Sequence, residues 1–321
     1  MNRLLHITAL LAGASALLCA ALWATVWTPG EGVVSAGADI ADLFGVPDTP
    51  TQKFQRALDH MGHEPPRAFD LNGNTVYFSV NFVDYSPIEA LKRYQDEFVY
   101  GGINQKSYTS LKAASTREAL EDMLTGGVVP TTVSKDYVAM GGGLAENRAQ
   151  TADELARLGR DFAAGRLAKK FRAYRHIEAF REPGSRWTTV VATWSDESFD
   201  YRKMVAGSRV AGQRGDGTIP ACPGCTRLQR FEDLDPSADH VDYTFIGPVG
   251  VHETLAFYDR VLPARGWEHA PSSAVLERAR RLNLPLPNAS TRQYRRGEQT
   301  LTLVVYAAEN GETAAHLSLA K

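Results

Sequence analysis

An apolar amino-terminal segment constrains this chain more than any other feature. From Leu4 to Trp27 the sequence runs for 24 residues without a formally charged side chain. As a helix rising about 1.5 Å per residue, the segment would be about 36 Å long, enough to cross a hydrocarbon core of about 30 Å. Arg3 precedes it, and the first charges after it are acidic, at Glu31 and Asp39. Because positive charge favours the cytoplasmic side, we expect residues 1–27 to anchor a body that lies outside the cytoplasm.

A cleaved export signal is the alternative to an anchor. Such signals have an apolar region of about 7 to 15 residues, shorter than this one. A small-x-small cleavage site can be drawn between Ala21 and Thr25, but the bulky Leu22 and Trp23 fit it poorly. A lipoprotein site at Cys19 has Leu18 where a small residue is expected. We favour the uncleaved anchor, and both alternatives export the body.

The remaining chain divides into a linker and two units. With 321 residues the chain is about twice the size of a usual single domain. Residues 28–49 lack a sustained hydrophobic period and predict a linker. Residues 50–212 predict a first α+β unit with a helical insertion at about 104–173, and residues 213–321 predict a second α+β unit. Each unit contains a strand, then an amphipathic helix, then antiparallel strands, which favours a two-layer α+β sandwich.

The hydrophobic period and the capping residues predict the individual elements. In the first unit we expect a helix from Pro50 to Gly62, a strand at Thr75–Val83, a helix from Ser86 to Gly101, a hairpin of Tyr174–Arg181 with Trp187–Trp194, and a further strand at Phe199–Val205. In the second unit we expect strands at Val241–Ile246, Arg292–Arg296, Thr300–Tyr306 and Thr313–Leu319, a helix at Val251–Pro263, and either a strand or a loop at Thr226–Phe231.

The two units share a pattern that indicates an internal duplication. A shift of 164 positions aligns five residues of the two helices and the element order around them. The aligned pairs are Glu89 with Glu253, Leu91 with Leu255, Tyr94 with Tyr258, Phe98 with Leu262 and Gly102 with Gly266. The insertion in the first unit predicts two helices of its own, starting at Ser115 and Thr151. Gly141–Gly143 between them predicts a hinge, and the basic run Lys169–Arg175 predicts a solvated helix end or a contact with anionic headgroups.

The segment Phe257–Trp267 reads FYDRVLPARGW. It resembles the F-Y-x-x-x-L-P-x-x-G-W module of membrane-anchored, largely uncharacterised bacterial envelope proteins. The resemblance covers about the last 95 residues and, more faintly, residues 70–205; the first copy has Ile103 in place of Trp and no Pro after Phe98. It implies a bacterial inner-membrane protein with a single span and a periplasmic body, and it implies no catalytic residue.

Cys222 and Cys225, with Pro223 and Gly224 between them, form the most suggestive motif. In an oxidising compartment such a pair can close a small disulfide. A redox role would need a thiolate of lowered pKa, usually at a helix N-terminus, whereas the residues after Cys225 predict a strand or a loop. We therefore expect a structural disulfide between Cys222 and Cys225, with redox chemistry or a metal-bound pair as the alternatives.

His60 and His63 could supply two further metal ligands. Together with Cys222 and Cys225 they would make a Cys₂His₂ zinc site, although two surface histidines without a ligand role are the simpler interpretation. A cluster of Asp235, Asp239, His240 and Asp242 could ligate Ca²⁺, but it lacks the oxygen spacing of a recognised loop. We predict no catalytic residue, metal or cofactor.

Charge balance and missing motifs narrow the function. The 35 basic residues against 37 acidic ones argue against nucleic acid as a partner. The sequence contains no phosphate-binding loop, nucleophile elbow, dinucleotide fingerprint or H-E-x-x-H pattern. We predict a non-enzymatic, membrane-anchored envelope protein that binds or scaffolds an envelope protein partner. The alternative is a redox or metal-dependent accessory protein that uses Cys222 and Cys225.

Overall fold

The structure is a computed structural model that describes residues 48–108, 117–145, 152–163, 171–204, 219–235, 237–271, 289–308 and 311–320. Internal contacts divide the chain into two units. One unit, Pro50–Arg148 with Ala168–Lys321, contains the sheet, and the other, Met1–Thr49 with Ala149–Leu167, contains the helix Ala152–Ala163. None of the helices in these described ranges has the length and apolarity to cross a membrane. The segment Leu4–Trp27, on which the predicted anchor rests, lies outside them.

The elements follow the order helix, two strands, helix, and then mostly strands. The first half of the sheet-containing unit consists of α1 (Pro50–His60), β1 (Arg67–Leu71), β2 (Asn74–Val83), α2 (Pro87–Tyr100), α3 (Arg117–Leu124), β3 (Val129–Val133), β4 (Tyr137–Ala145), β5 (Phe171–Phe180), β6 (Thr188–Ser195) and a 3₁₀ turn (Tyr201–Met204). The helix Ala152–Ala163 is α4. The second half consists of β7 (Thr226–Asp233), β8 (His240–Gly247), α5 (Val251–Val261), a 3₁₀ turn (Pro263–Arg265), β9 (Glu268–Ala270), β10 (Ser290–Arg296), β11 (Gln299–Ala307) and β12 (Thr313–Ala320).

All the strands named above belong to one antiparallel sheet. Its twelve strands follow the order β3-β4-β5-β6-β2-β1-β7-β8-β12-β11-β10-β9. The two halves meet at β1 and β7 and follow the same order outward from there. In the first half β1 and β2, which precede α2, are followed by β6, β5, β4 and β3; in the second half β7 and β8, which precede α5, are followed by β12, β11, β10 and β9. A mixed α+β fold is therefore confirmed, and it is dominated by a single sheet.

Two hydrophobic cores lie on one face of this sheet. The first contains Phe54 of α1, Tyr94 of α2 and Trp194 of β6, and the second contains Tyr258 of α5 and Leu319 of β12. Directly paired residues of antiparallel strands lie on the same face. Trp194 pairs with Tyr77, and Tyr77 pairs with Ala68 of β1. Asp70, two positions further along β1 and therefore on the same face, leads through the pairs with Glu232 and Val241 to Leu319. Both cores therefore lie on one face of the sheet, which we call the helix face.

Local signals account for the predicted helix starts. The hydroxyl of Ser86 accepts a hydrogen bond from the backbone N–H of Glu89 at 3.2 Å, and Pro87 occupies the first helical position of α2. Helix α1 begins at Pro50 and is followed by Gly62, whose φ of 81° is left-handed. These two helices, and the strands predicted within β2, β5, β6, β8 and β10–β12, are confirmed.

Four sequence-based expectations are wrong. Gly141–Gly143 do not form a hinge, because they lie inside β4 and pair with β5. Phe199–Val205 does not form a strand in its described part, which contains a 3₁₀ turn at Tyr201–Met204. Arg175 is not at a solvated helix end: it lies in β5 and is only 2% exposed. The strands β3 and β4 also occupy part of the stretch expected to be a helical insertion.

Candidate functional site

The cysteine pair lies just before β7 and is closed. The Sγ atoms of Cys222 and Cys225 are 1.95 Å apart in a disulfide, and their Cα atoms are 5.2 Å apart. The N–H of Cys225 donates to the carbonyl oxygen of Cys222 at 2.9 Å, so the pair encloses a tight turn in which Gly224 has a φ of 72°. Gly224 adopts this left-handed conformation without a steric penalty, which allows the chain to turn back sharply between the two cysteines.

The disulfide is part of the second core. Cys222 is 3% exposed and Cys225 is 7% exposed. A Cβ atom at Gly247, which ends β8, would come within 2.6 Å of Sγ of Cys225, so only glycine leaves room for the sulfur. The hydroxyl of Tyr258 in α5 donates to the carbonyl oxygen of Pro220 at 3.1 Å. Because exchange needs an attacking thiolate to reach a sulfur, this burial favours a structural disulfide over a redox centre.

We expect reduction of the disulfide to lower the free energy of unfolding by about 2 kcal/mol, because a cross-link that closes a very short loop removes little entropy from the unfolded chain. Urea unfolding with and without a phosphine reductant measures the change. The Cys222→Ser/Cys225→Ser double variant is the control, and its unfolding should not respond to reductant. An unchanged wild-type midpoint after complete reduction would contradict the structural role.

The two histidines proposed as metal ligands have different surroundings. Nδ1 of His60 is 3.0 Å from Oε1 of Glu97 at the surface. His63 is buried, and its Nδ1 is 3.1 Å from the hydroxyl oxygen of Ser79. Burial lowers the pKa of His63 to about 4, since the charged imidazolium is poorly solvated there.

The structure does not bring these histidines together with the cysteines. His63 makes a ring contact with Tyr94 of the first core, at 5.6 Å between centroids, whereas Cys222 and Cys225 belong to the second core. Sulfurs joined in a disulfide are also not thiolates, the form that binds zinc. Over the described ranges, no group of three or more His, Cys, Asp or Glu side chains is placed to hold a metal ion.

The acidic cluster is only partly assembled. Asp242 in β8 is 7% exposed; its Oδ2 lies 3.2 Å from Nε2 of His240, and its Oδ1 lies 3.6 Å from Nε2 of His316. The Asp235 carboxylate instead accepts hydrogen bonds from the N–H and hydroxyl of Ser237 in the loop after β7. The sequence did not single out His316, although the alternation of side chains along β12 puts it on the other face of the sheet from the buried Ala315 and Leu317.

Contacts within this cluster shift the pKa values of His240 and Asp242. The hydrogen bond to Asp242 raises the pKa of His240, and it outweighs the burial of the ring. Burial alone would raise the pKa of Asp242, but the hydrogen bond from His240 and the charge of His316 lower it. The folded protein therefore favours an ionic His240–Asp242 pair on the sheet face opposite the helix face.

The junction between the two halves lies beside this cluster. Strands β1 and β7 share only three register pairs, Phe69 with Asp233, Asp70 with Glu232 and Leu71 with Phe231. On the helix face, Nη1 of Arg230 lies 3.1 Å from Oδ1 of Asp70. On the opposite face, Arg67 forms an ion pair with Asp233, and the rings of Phe69 and Phe231 stack at 4.7 Å. Backbone hydrogen bonds from the N–H of Asn72 to the carbonyl oxygen of Arg230 at 2.9 Å, and from the N–H of Leu234 to the carbonyl oxygen of Ala68 at 3.0 Å, extend this junction at both ends.

Two neighbouring hairpin tips form an exposed surface at one end of the first half. Trp187 is 43% exposed, and Val133 at the end of β3 is 42% exposed. The Arg186 guanidinium lies 4.6 Å from the centroid of the Trp187 ring. The N–H of Arg181 donates to the carbonyl oxygen of Asp136, which ties the two tips together. We call Val133, Arg186 and Trp187 the tip surface.

No protein family model matches the chain, and no match was found among curated proteins or solved structures.

Proposed function

We propose that this chain is a membrane-anchored bacterial envelope protein whose periplasmic body binds an envelope protein partner. The observation that carries the proposal is the closed and buried pair of Cys222 and Cys225. Disulfides persist in oxidising compartments and are rare in the cytosol. A disulfide that serves folding rather than exchange supports an exported, non-catalytic body, and it weighs against the redox alternative.

The uncharged segment Leu4–Trp27 supplies the tether in this proposal. Arg3 before it and Glu31 after it favour an amino terminus in the cytoplasm. The resemblance of Phe257–Trp267 to a module of bacterial envelope proteins supports the same location. The matching strand order of the two halves supports duplication of an α+β unit, which yields a broad sheet from a short ancestral sequence.

The tip surface is the contact that we assign to the partner. Exposed tryptophan and arginine are the residue types that dominate protein interfaces. Ser185 holds the backbone at Trp187, since the backbone N–H of Trp187 donates to the Ser185 hydroxyl oxygen at 3.0 Å and its carbonyl oxygen accepts from that hydroxyl at 3.1 Å. β3, three strands from β6, is an edge strand of the described sheet, so a partner that spans both tips also meets a strand edge.

Site-specific photo-crosslinking in intact cells tests this proposal. With a photoreactive residue in place of Trp187, we expect one discrete adduct with an envelope protein. The control is the same residue in place of Glu268, an exposed position of β9 at the other edge of the sheet. Equal capture at both positions, or none at Trp187, would contradict a partner site at the tip surface. A reporter fused after residue 321 checks the topology, and cytoplasmic reporter activity would contradict export.

A further inference from the structure

The turn between β1 and β2 carries a residue that binds both halves of the sheet. Asn72 and Gly73 form this two-residue turn, with φ values of 55° and 79°, left-handed conformations that an Asn–Gly pair adopts readily. The N–H of Asn72 donates to the carbonyl oxygen of Arg230 in β7, and the N–H of Arg230 donates to Oδ1 of Asn72 at 2.7 Å. The turn therefore continues the pairing of β1 with β7 beyond its three register pairs.

The Nδ2 atom of Asn72 donates to both halves. It donates to the carbonyl oxygen of Lys203, in the 3₁₀ turn after β6, at 3.0 Å, and to that of Leu228 in β7 at 3.2 Å. Leu228 lies at a bulge in the pairing of β7 with β8, where the ladder leaves the extra residue unpaired. One amide group thus connects the first half, at Lys203, with the second half, at Leu228 and Arg230.

An aspartate at position 72 could not replace this amide. A carboxylate accepts hydrogen bonds but donates none, so one of its oxygens would face two carbonyl oxygens in place of the Nδ2 donor. The negative charge would be repelled by these oxygens, and a half-buried polar group without a partner costs free energy. The junction between the halves therefore depends on whether residue 72 carries an amide or a carboxylate.

Asn–Gly is also the pair in which this change occurs without an enzyme, because glycine has no side chain to hinder attack by its own backbone nitrogen. The nitrogen of Gly73 bonds to Cγ of Asn72, while the Cγ–Nδ2 bond breaks and Nδ2 leaves as ammonia with the proton from Gly73. Water then opens the succinimide at either carbonyl and leaves aspartate or isoaspartate. The net reaction consumes water and releases ammonia, and nothing is oxidised or reduced.

The contacts around the folded turn oppose this reaction. The N–H of Gly73, the attacking group, donates to Oδ1 of Asp70 at 3.0 Å, and that carboxylate is paired with Arg230. The amide nitrogen that has to leave is held by carbonyl oxygens of both halves. Because bond formation draws Cγ toward the nitrogen of Gly73, it requires the Asn72 side chain to leave its partners in β7.

We propose that Asn72–Gly73 is a self-modification site that deamidates when the junction between the halves opens, and that the product then hinders the junction from closing again. The reactants are the chain itself and water. Isoaspartate adds a carbon to the backbone of the turn, and both products lose the Nδ2 donor. The proposal goes beyond partner binding and does not depend on it, since it rests on contacts within the sheet alone.

Peptide mapping by mass spectrometry, during incubation of the full-length protein in detergent at pH 8, tests the gating. We expect Asn72 to deamidate at least about tenfold more slowly in the native protein than in urea, because the reaction waits for local opening. Asn310–Gly311, the other Asn–Gly pair of the sequence, is the control for the chemistry, and in urea its rate should match that of Asn72. Equal rates at Asn72 with and without urea, or no reaction there in urea, would overturn the proposal.

Two matched variants separate opening of the junction from global unfolding. Phe69→Leu removes a ring that stacks on Phe231 across the junction, and Phe54→Leu makes the same change in the first core. We expect Phe69→Leu to accelerate deamidation of Asn72 in the native protein several-fold, and Phe54→Leu to have a much smaller effect. Equal acceleration by the two variants would show that the site reports global unfolding, contrary to the proposal.

Asn72→Asp tests the consequence of deamidation. By hydrogen exchange, we expect peptides from β1 and β7 to exchange several-fold faster than in the wild type, and peptides from β5 to be unchanged. Asn81→Asp is the control, since Asn81 donates to Met61 and Tyr94 within the first half, and it should leave β7 unchanged. If Asn72→Asp does not fold, the deamidated fraction of aged wild-type protein, separated by ion exchange and identified by peptide mapping, gives the same comparison. Unchanged protection of β1 and β7 would refute the proposed effect on the junction.

Discussion

Gly142→Ala is expected to destabilise the protein by about 3 kcal/mol or more, a severe form of core overpacking. A Cβ atom at Gly142 in β4 would overlap the carbonyl oxygen of Gly127 and lie 2.9 Å from its carbonyl carbon. These are backbone atoms of the turn after α3, so no side chain can rotate away to make room. Urea unfolding monitored by circular dichroism measures the loss.

Gly141→Ala is the matched control in the same strand. A Cβ atom there would meet its nearest neighbours, the carbonyl oxygen of Arg175 and Nδ1 of His176, at an ordinary 3.5 Å. Because alanine also loses less entropy on folding than glycine, we expect this variant to be neutral or more stable by about 0.5 kcal/mol. Similar midpoints for the two variants would show that β4 does not approach the turn at Gly127 as closely as described.

Trp194→Ala is expected to cost about 3 to 5 kcal/mol, the usual range for removing a large buried aromatic side chain. Trp194 in β6 is 1% exposed. Its ring meets Phe54 of α1 edge-on at 5.7 Å and stacks on Tyr77 of β2 at 5.6 Å, so it joins a helix to two strands. Thermal or urea unfolding measures the effect, and a cavity of this size also predicts increased binding of a hydrophobic dye.

Trp187→Ala separates stability from partner binding. Because Trp187 is partly exposed on a hairpin tip, its truncation is expected to change the free energy of unfolding by less than about 1 kcal/mol. If the tip surface binds the partner, the same change should abolish co-purification of the protein captured by crosslinking. A loss of stability comparable with that of Trp194→Ala would make Trp187 a folding residue and remove it from the proposed surface.

Sequence patterns recovered the elements whose signals are local. The alternation of Val76, Phe78 and Val80 identified β2, and Ser86 with Pro87 identified the start of α2. The same reasoning missed β3 and β4, because Pro130 and Gly141–Gly143 are residues that disfavour strands. Only the close approach of Gly127 explains why glycine is required at Gly142, and that approach joins residues 15 positions apart.

In the candidate site, too, local spacing predicted some contacts between residues, and only the tertiary structure showed others. The spacing of Cys222 and Cys225, together with expected export and the lack of a following helix, favoured a disulfide but left a redox or metal-bound pair open; the closed, buried pair in the structure favours the disulfide. His316 lies 74 positions after Asp242, so no local pattern associates the two residues. Arg175 reads as the end of a basic run, yet burial lowers its pKa to about 10, and its Nη1 donates to the carbonyl oxygen of Gly126 at 2.5 Å.

By itself, the amino-acid sequence determined the amphipathic faces, the helix starts, the close spacing of the two cysteines and an uncharged leading segment long enough to cross a bilayer. Each depends on residues within a few positions of one another, where spacing fixes geometry. The tertiary structure alone decided that the two halves continue one sheet through β1 and β7, that Gly142 meets Gly127, and that His240 and His316 flank Asp242. These contacts depend on strand register between distant segments, which no local spacing encodes.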